Sequence, residues 1–260
     1  MKYRSNWQIQ KFVFYALFIR EFKTRFGGFR LGVFWALLEP IAHILVLTTL
    51  FSLMQRGGFF GVPFPVFFAT GVLTFFIFQK IVSVSIASIK SNMGLFSYRQ
   101  VKPFDAIVVR ATLELLVIIS VMIFTTWLGI WVFNYECLPK NPLVVVFIIF
   151  GLFLLSLGLG FFSAVIGVKY PEAAQLINII MRPLYFISGI FFPLEFMPKE
   201  YHIYLLWNPI LHAVEQFRAA WINGYPPGDT SLIFLYMWAL PLFFLGLAYC
   251  FNNRTKVLMS

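Results

Sequence analysis

Glu39, Glu114 and Arg182 are ionisable side chains inside long apolar runs of this 260-residue sequence. A charge taken into lipid is costly and persists where it is paired or does work. Arg110 precedes Glu114 by one helical turn, so the spacing predicts an ion pair within a single helix. Glu39 stands before Pro40 and one turn before His43, an arrangement that admits either a distorted, hydrogen-bonded helix or a proton relay. Arg182 has no acidic residue within a turn of it, and is expected to face a polar path or a partner subunit.

Other reactive side chains are scattered. His43, His202 and His212 include no pair at the spacing of a helical metal site, and Cys137 and Cys250 are expected on opposite membrane faces. The two aspartates, Asp105 and Asp229, are also expected on opposite faces. No metal centre, disulfide or intramembrane aspartyl pair is therefore expected. The sequence contains no G-x-S-x-G nucleophile motif and no G-x-x-x-x-G-K-[ST] phosphate loop, so any ATP must be hydrolysed by another polypeptide. A carboxylate-based glycosyl- or acyltransferase, or a proton-coupled transporter using Glu39 and His43, stays open at this level.

The elements that must position these groups are membrane helices. Hydrophobic residues make up 60% of the chain and charged residues 12%, beyond what an ordinary soluble domain carries. The net charge of +10 would suit nucleic acid only on a water-soluble fold with a basic face, and none is visible. Five apolar segments match the length of a bilayer-spanning helix, at residues 33–55, 64–89, 106–133, 143–168 and 230–251. A sixth, at 173–192, is shorter and interrupted by Arg182 and Pro183. The expected fold is thus all-α with six spans in one permease-sized domain over residues 1–260. No removable signal peptide is expected, because the basic N-terminus lacks a compact apolar stretch with a small-residue cleavage site.

With the N-terminus inside, 15 Lys and Arg fall on the cytoplasmic side and four (Arg56, Lys140, Lys199, Arg218) outside, which places both termini in the cytoplasm. Residues 7–26 carry Phe12, Tyr15, Ile19, Phe22 and Phe26 at helical spacing beside Lys11, Arg20, Lys23 and Arg25, the pattern of an interfacial amphipathic helix. Residues 193–229 form a long outer segment whose moderately apolar run, 203–222, is broken at Asn208 and Pro209; it reads as two short helices dipping into the outer leaflet. Ser156, Gly160 and Ala164, four residues apart, let a neighbouring helix approach closely. Between the second and third spans, residues 91–103 (SNMGLFSYRQVKP) set Leu95, Phe96 and Tyr98 beside Arg99 and Lys102 on a short cytoplasmic connection. Such apolar groups suit burial on a cytoplasmic protein, or else the lipid interface.

Residues 17–43 (LFIREFKTRFGGFRLGVFWALLEPIAH), 94–114 (GLFSYRQVKPFDAIVVRATLE) and 182–218 (RPLYFISGIFFPLEFMPKEYHIYLLWNPILHAVEQFR) resemble the permease subunit of group 2 capsular polysaccharide exporters. Gly28 departs from that pattern at a position where a basic residue is expected. The resemblance implies a type 2 ATP-binding-cassette exporter in the bacterial inner membrane: two copies of this chain with two cytoplasmic ATPase subunits that hold ATP and Mg, this chain binding no cofactor itself. It implies an acidic, lipid-linked capsule glycan as cargo, handed to a periplasmic adaptor and an outer-membrane channel. The same machine with O-antigen or teichoic acid as cargo is the nearest alternative. Residues 91–103 then correspond to the family's coupling helix, with Leu95, Phe96, Tyr98, Arg99 and Lys102 meeting the ATPase. Arg20, Lys23, Arg25 and Arg30 would flank the entry and attract a lipid phosphate, or serve as positive-inside anchors. Phe34, Trp35, Arg182, Tyr185, Phe186 and Phe191 would line the glycan path, where aromatic faces against sugar C–H surfaces allow sliding; lipid-facing and core roles are the alternative.

Overall fold

Proline punctuates the chain. Pro103, Pro142, Pro171 and Pro209 each begin a helix, where a missing N–H costs nothing because first-turn donors have no intrahelical partner. The structure, a computed structural model, describes residues 5–27, 32–53 and 58–254. In order they form α1 (Asn6–Phe26), α2 (Gly32–Leu53), α3 (Phe64–Ile86), α4 (Pro103–Trp131), α5 (Pro142–Lys169), α6 (Pro171–Ile187), α7 (Lys199–Leu205), α8 (Pro209–Trp221) and α9 (Leu232–Asn252). Short 3₁₀ segments lie at Lys90–Leu95 and Leu194–Phe196. Among the described residues the only β pairing is an isolated bridge between Phe59 and Val62.

Five helices, α2, α3, α4, α5 and α9, are long and apolar enough to cross a membrane. The expected sixth, α6, has 17 residues and carries Arg182 and Pro183. At 1.5 Å per residue it reaches about 26 Å, short of the ~30 Å hydrocarbon core. The chain turns at Gly189 directly after it, with φ of +72°, where a Cβ would also press on Leu211.

The core is built on α3, whose apolar window is 78% buried against 11% for α2 and 17% for α9. Phe67, Phe68, Phe75 and Ile77 are fully enclosed. The stripe Ser156, Gly160 and Ala164 on α5 is buried, and a Cβ at Gly160 would stand 2.7 Å from the Ser85 hydroxyl of α3. On another face of α5, Gly158 meets the backbone of α9 near Leu242, and Gly246 of α9 meets Gly158 in return. Small residues on two faces thus let α5 sit against both neighbours.

Val13, Leu17 and Glu21, at four-residue spacing, and Phe26 are the buried positions of α1, and Val13 and Leu17 cluster with Val109 of α4. Phe12, Tyr15 and Phe22 remain exposed. Ser5 caps the helix in a reciprocal capping box with Gln8. The two short helices after α6 are separated at Asn208, whose side chain accepts the Ile210 N–H at 3.0 Å and so starts α8.

Candidate functional site

Polar side chains concentrate at three places. The first is the junction of α1, the 3₁₀ turn and α4. Glu21, buried on α1, accepts from Arg110 Nε at 3.0 Å and from Asn92 at 2.9 Å. Arg20 donates to Asn92 at 2.5 Å, Gln10 donates to Asp105, and Arg25 grips Glu114 through both terminal guanidinium nitrogens. Asp105 in turn accepts the Lys102 backbone N–H at 2.9 Å and caps α4. The expected Arg110–Glu114 pair does not form. Each residue reaches across to α1 instead, because docking of that helix on α4 offers Arg110 a carboxylate and Glu114 a guanidinium in bidentate geometry.

Loss of the clamp has a defined consequence. Glu114→Gln is expected to lower the thermal midpoint of the purified protein by the equivalent of about 2 kcal/mol, since Arg25 is partly exposed and Glu114 is enclosed. Arg25→Gln combined with Glu114→Gln should recover part of that loss, because no charge is left unpaired. Equal losses in the single and double variants would show that the pair does not hold α1.

The same junction redefines the candidate coupling segment. Leu95 packs on the Val13, Leu17 and Val109 cluster, and Phe96 packs against the main core, so neither is the exposed apolar group expected from the sequence. α1 covers them. Tyr98 is 66% exposed, and Arg99 and Lys102 are exposed beside it. Of the four candidate entry cations, Arg20 and Arg25 are engaged within the chain, and Lys23 is exposed without an ion pair among the described residues. Arg30, like Gly28, lies outside the described residues.

The second place lies between α2, α3 and α6. His43 Nε2 and the Tyr185 hydroxyl are 2.9 Å apart, and Glu39 receives Lys80 at 2.5 Å, so His43 and Glu39 have separate partners. Around Tyr185 the rings of Phe75, Phe186 and Phe191 stand 5.2, 5.6 and 5.4 Å away, and Phe186 stacks on Phe191 at 5.3 Å with an interplanar angle of 10°. Phe51 of α2 and Phe68 of α3 close on Phe191. Tyr185, Phe186 and Phe191 are therefore brought together. Phe34 and Trp35 touch each other at the far end of α2, about 12 Å along the axis from His43 at 1.5 Å per residue, and both are exposed. Arg182 is exposed on α6 and belongs to neither group.

The third place was not anticipated. Arg218, expected on the outer side of the membrane, is fully buried. Its guanidinium donates to the carbonyls of Phe67 (3.3 Å), Gly189 (2.6 Å) and Ile190 (2.9 Å) and to Glu215 (3.0 Å), and lies 3.6 Å over the Phe67 ring. Tyr225 donates to the other Glu215 oxygen at 2.7 Å. Gly71 makes room on α3, since a Cβ there would stand 2.3 Å from the guanidinium. The one available signal was a Glu-x-x-Arg pair, one turn apart, inside an apolar run.

The family model for the ABC-2 type transporter covers residues 13–222. The chain belongs to the ABC-2 type transporter family. Within the ABC-2 family it is similar to the polysialic acid transport protein KpsM of Escherichia coli, 43% identical over 257 residues that make up 99% of each chain. It is also similar to the capsule polysaccharide export inner-membrane proteins CtrC of Neisseria meningitidis, 26% identical over 92% of this chain and 90% of the relative, and BexB of Haemophilus influenzae, 24% identical over 94% and 92%. ABC-2 permeases carry no ATP site of their own, as the missing phosphate loop of this chain requires.

Proposed function

We propose that this chain is the membrane permease of an ATP-driven exporter that moves a lipid-linked, acidic capsular polysaccharide across the bacterial inner membrane. The observation that carries this reading is its full-length likeness to KpsM. In this reading two copies of the chain work with two cytoplasmic ATPase subunits, which bind ATP and Mg, and deliver the glycan to a periplasmic adaptor and an outer-membrane channel. The open face of α2, with Glu39, Val46, Leu50 and Leu53 exposed, suits a second copy. In this reading Tyr185, Phe186 and Phe191 together line one stretch of the sugar path, and Phe34 and Trp35 at the far end of α2, and Arg182 on α6, line it elsewhere. Copurification with the ATPase, and a change in ATPase turnover on association, tests the reading; a chain that turns over a lipid-linked donor alone would overturn it.

The topology proposed is six spans, with α6 as the fifth, α1 in the inner interface, α7 and α8 at the outer leaflet, and both termini cytoplasmic. Native thiols cannot report it, because Cys137 and Cys250 are both buried. Burial also pushes the Cys137 thiol up from its ordinary range, which slows alkylation at neutral pH. Single cysteines in a cysteine-free background solve this. An impermeant maleimide applied to spheroplasts is expected to label Leu138→Cys, at a position 72% exposed, and to spare Arg254→Cys. The reverse pattern would invert the orientation.

Lys23 and Arg30 remain as candidate entry cations once Arg20 and Arg25 are assigned to the clamp. Lys23→Gln with Arg30→Gln is expected to lower surface glycan several-fold at a normal membrane level of the protein. Loss of the protein itself would make these residues anchors.

A further inference from the structure

Lys80 of α3 and Glu39 of α2 form an ion pair at 2.5 Å, on two helices that are each long and apolar enough to cross a membrane. Lys80 stands six residues before the end of α3. At 1.5 Å per residue that is about 9 Å along the axis, so the pair is held at membrane depth. The chain does not enclose it: the Glu39 side chain is 69% exposed and that of Lys80 26%. An ion pair left against hydrocarbon is costly, which favours a water-filled path on this side of the helices.

Its neighbours are polar as well. One turn further along α3, Ser83 donates to Asn178 of α6 at 3.0 Å, and Asn178 is exposed. Arg182, four residues after Asn178 and therefore on the same face of α6, is exposed and has no ion pair among the described residues. In the other direction His43 lies one turn after Glu39, level with Phe76 of α3, and meets the Tyr185 hydroxyl at 2.9 Å. The pairs Ser83–Asn178, Lys80–Glu39 and His43–Tyr185 thus follow one another along the groove between α2, α3 and α6, and end at the aromatic cluster of Phe186 and Phe191.

We propose that Lys80 binds the anionic groups of the exported glycan by exchanging the Glu39 carboxylate for one on the cargo, with Ser83, Asn178 and Arg182 as the polar wall beside it. The proposal rests on the export reading above and adds the residue that selects for charge. The pair is suited to exchange. Of the four ion pairs among the described residues it is the one whose carboxylate is exposed, since Glu114, Glu21 and Glu215 are all enclosed. The cation is fixed on α3, the helix most buried in the chain, and the leaving carboxylate is on α2, the least buried span. Exposed ion pairs contribute little to stability, so release of Glu39 costs the fold little.

The test measures binding of fluorescein-labelled oligogalacturonate, an acidic glycan, to the full chain in nanodiscs, beside its methyl ester, which keeps the backbone without the charge. The wild type is expected to bind the acidic oligomer more tightly than the ester. Lys80→Gln should weaken binding of the acidic oligomer about tenfold, through loss of a charge-assisted hydrogen bond, and leave the ester unchanged. Glu39→Gln should act in the opposite direction and tighten binding of the acidic oligomer about threefold, because the competing carboxylate is gone. Lys80→Arg keeps the charge and should retain most of the binding. A pair that only holds α2 on α3 predicts instead that Lys80→Gln and Glu39→Gln lower the thermal midpoint and the binding together, and that result overturns the proposal. If Lys80→Gln does not reach the membrane, Glu39→Gln decides alone, and unchanged or weaker binding there overturns the proposal. Wild-type binding of the acidic oligomer that persists in Lys80→Gln overturns the proposal and leaves the export reading standing. A wild type that binds neither oligomer overturns the acidic-glycan reading with it.

Discussion

Arg218→Met is expected to remove the folded protein from the membrane rather than to slow transport. The substitution strands Glu215 in a buried position and leaves the carbonyls of Phe67, Gly189 and Ile190 without their shared donor. Breaking one side of a buried ion pair costs about 3–5 kcal/mol, a large part of the 5–15 kcal/mol that holds a typical domain together. Arg218→Lys should rescue little, because a single ammonium cannot serve three carbonyls and a carboxylate while lying flat on the Phe67 ring. Tyr225→Phe removes one hydrogen bond to a charged group and should cost about 1.5 kcal/mol. Membrane level and the thermal midpoint of the detergent-purified protein measure all three. A normal midpoint in Arg218→Met together with lost export would instead assign Arg218 to transport.

The second large effect is expected at the connection between α3 and α4. Tyr98→Ser with Arg99→Glu changes two exposed side chains that the fold leaves unburied, so the thermal midpoint should stay near wild type. Association with the ATPase should fall at least tenfold, because an aromatic anchor is lost and a charge is reversed at a contact surface. Phe96→Ser should behave in the opposite way, costing about 2–3 kcal/mol of stability through lost core packing. Wild-type copurification and export in the Tyr98, Arg99 double variant would move coupling away from this turn. α1 would then be the next surface to probe, since Glu21 and Arg20 tie it to Asn92 in the same turn.

Much of the architecture was legible in the amino-acid order. Spanning helices announce themselves because lipid demands about twenty consecutive apolar residues, and α2, α3, α4, α5 and α9 all follow the expected segments. The small-residue stripe of α5 is equally visible, since close approach requires small side chains at helical spacing. α6 marks the limit of that logic. Arg182 and Pro183 interrupt it, and the turn at Gly189 cuts it to 17 residues, so hydropathy alone extends it further than the backbone goes.

Pairing was not legible, because a partner 70 to 150 residues away leaves no mark on local spacing. Arg110 and Glu114 sit one turn apart, and the local reading joins them; the packing of α1 on α4 gives each a better partner in Glu21 and Arg25. Leu95 and Phe96 look exposed on a short polar connection until α1 and the core cover them. Arg218 counts only as one of four outer basic residues until α3 and the turn after α6 surround it with carbonyls and the Phe67 ring. The sequence by itself determined that this chain is a bundle of membrane helices without an ATP site of its own, since composition, run length and the missing phosphate loop are local properties. Which charges are free to meet a lipid, a glycan or an ATPase was decided only by tertiary structure, because an ionic side chain takes the nearest partner in space and most of these partners arrive on another helix.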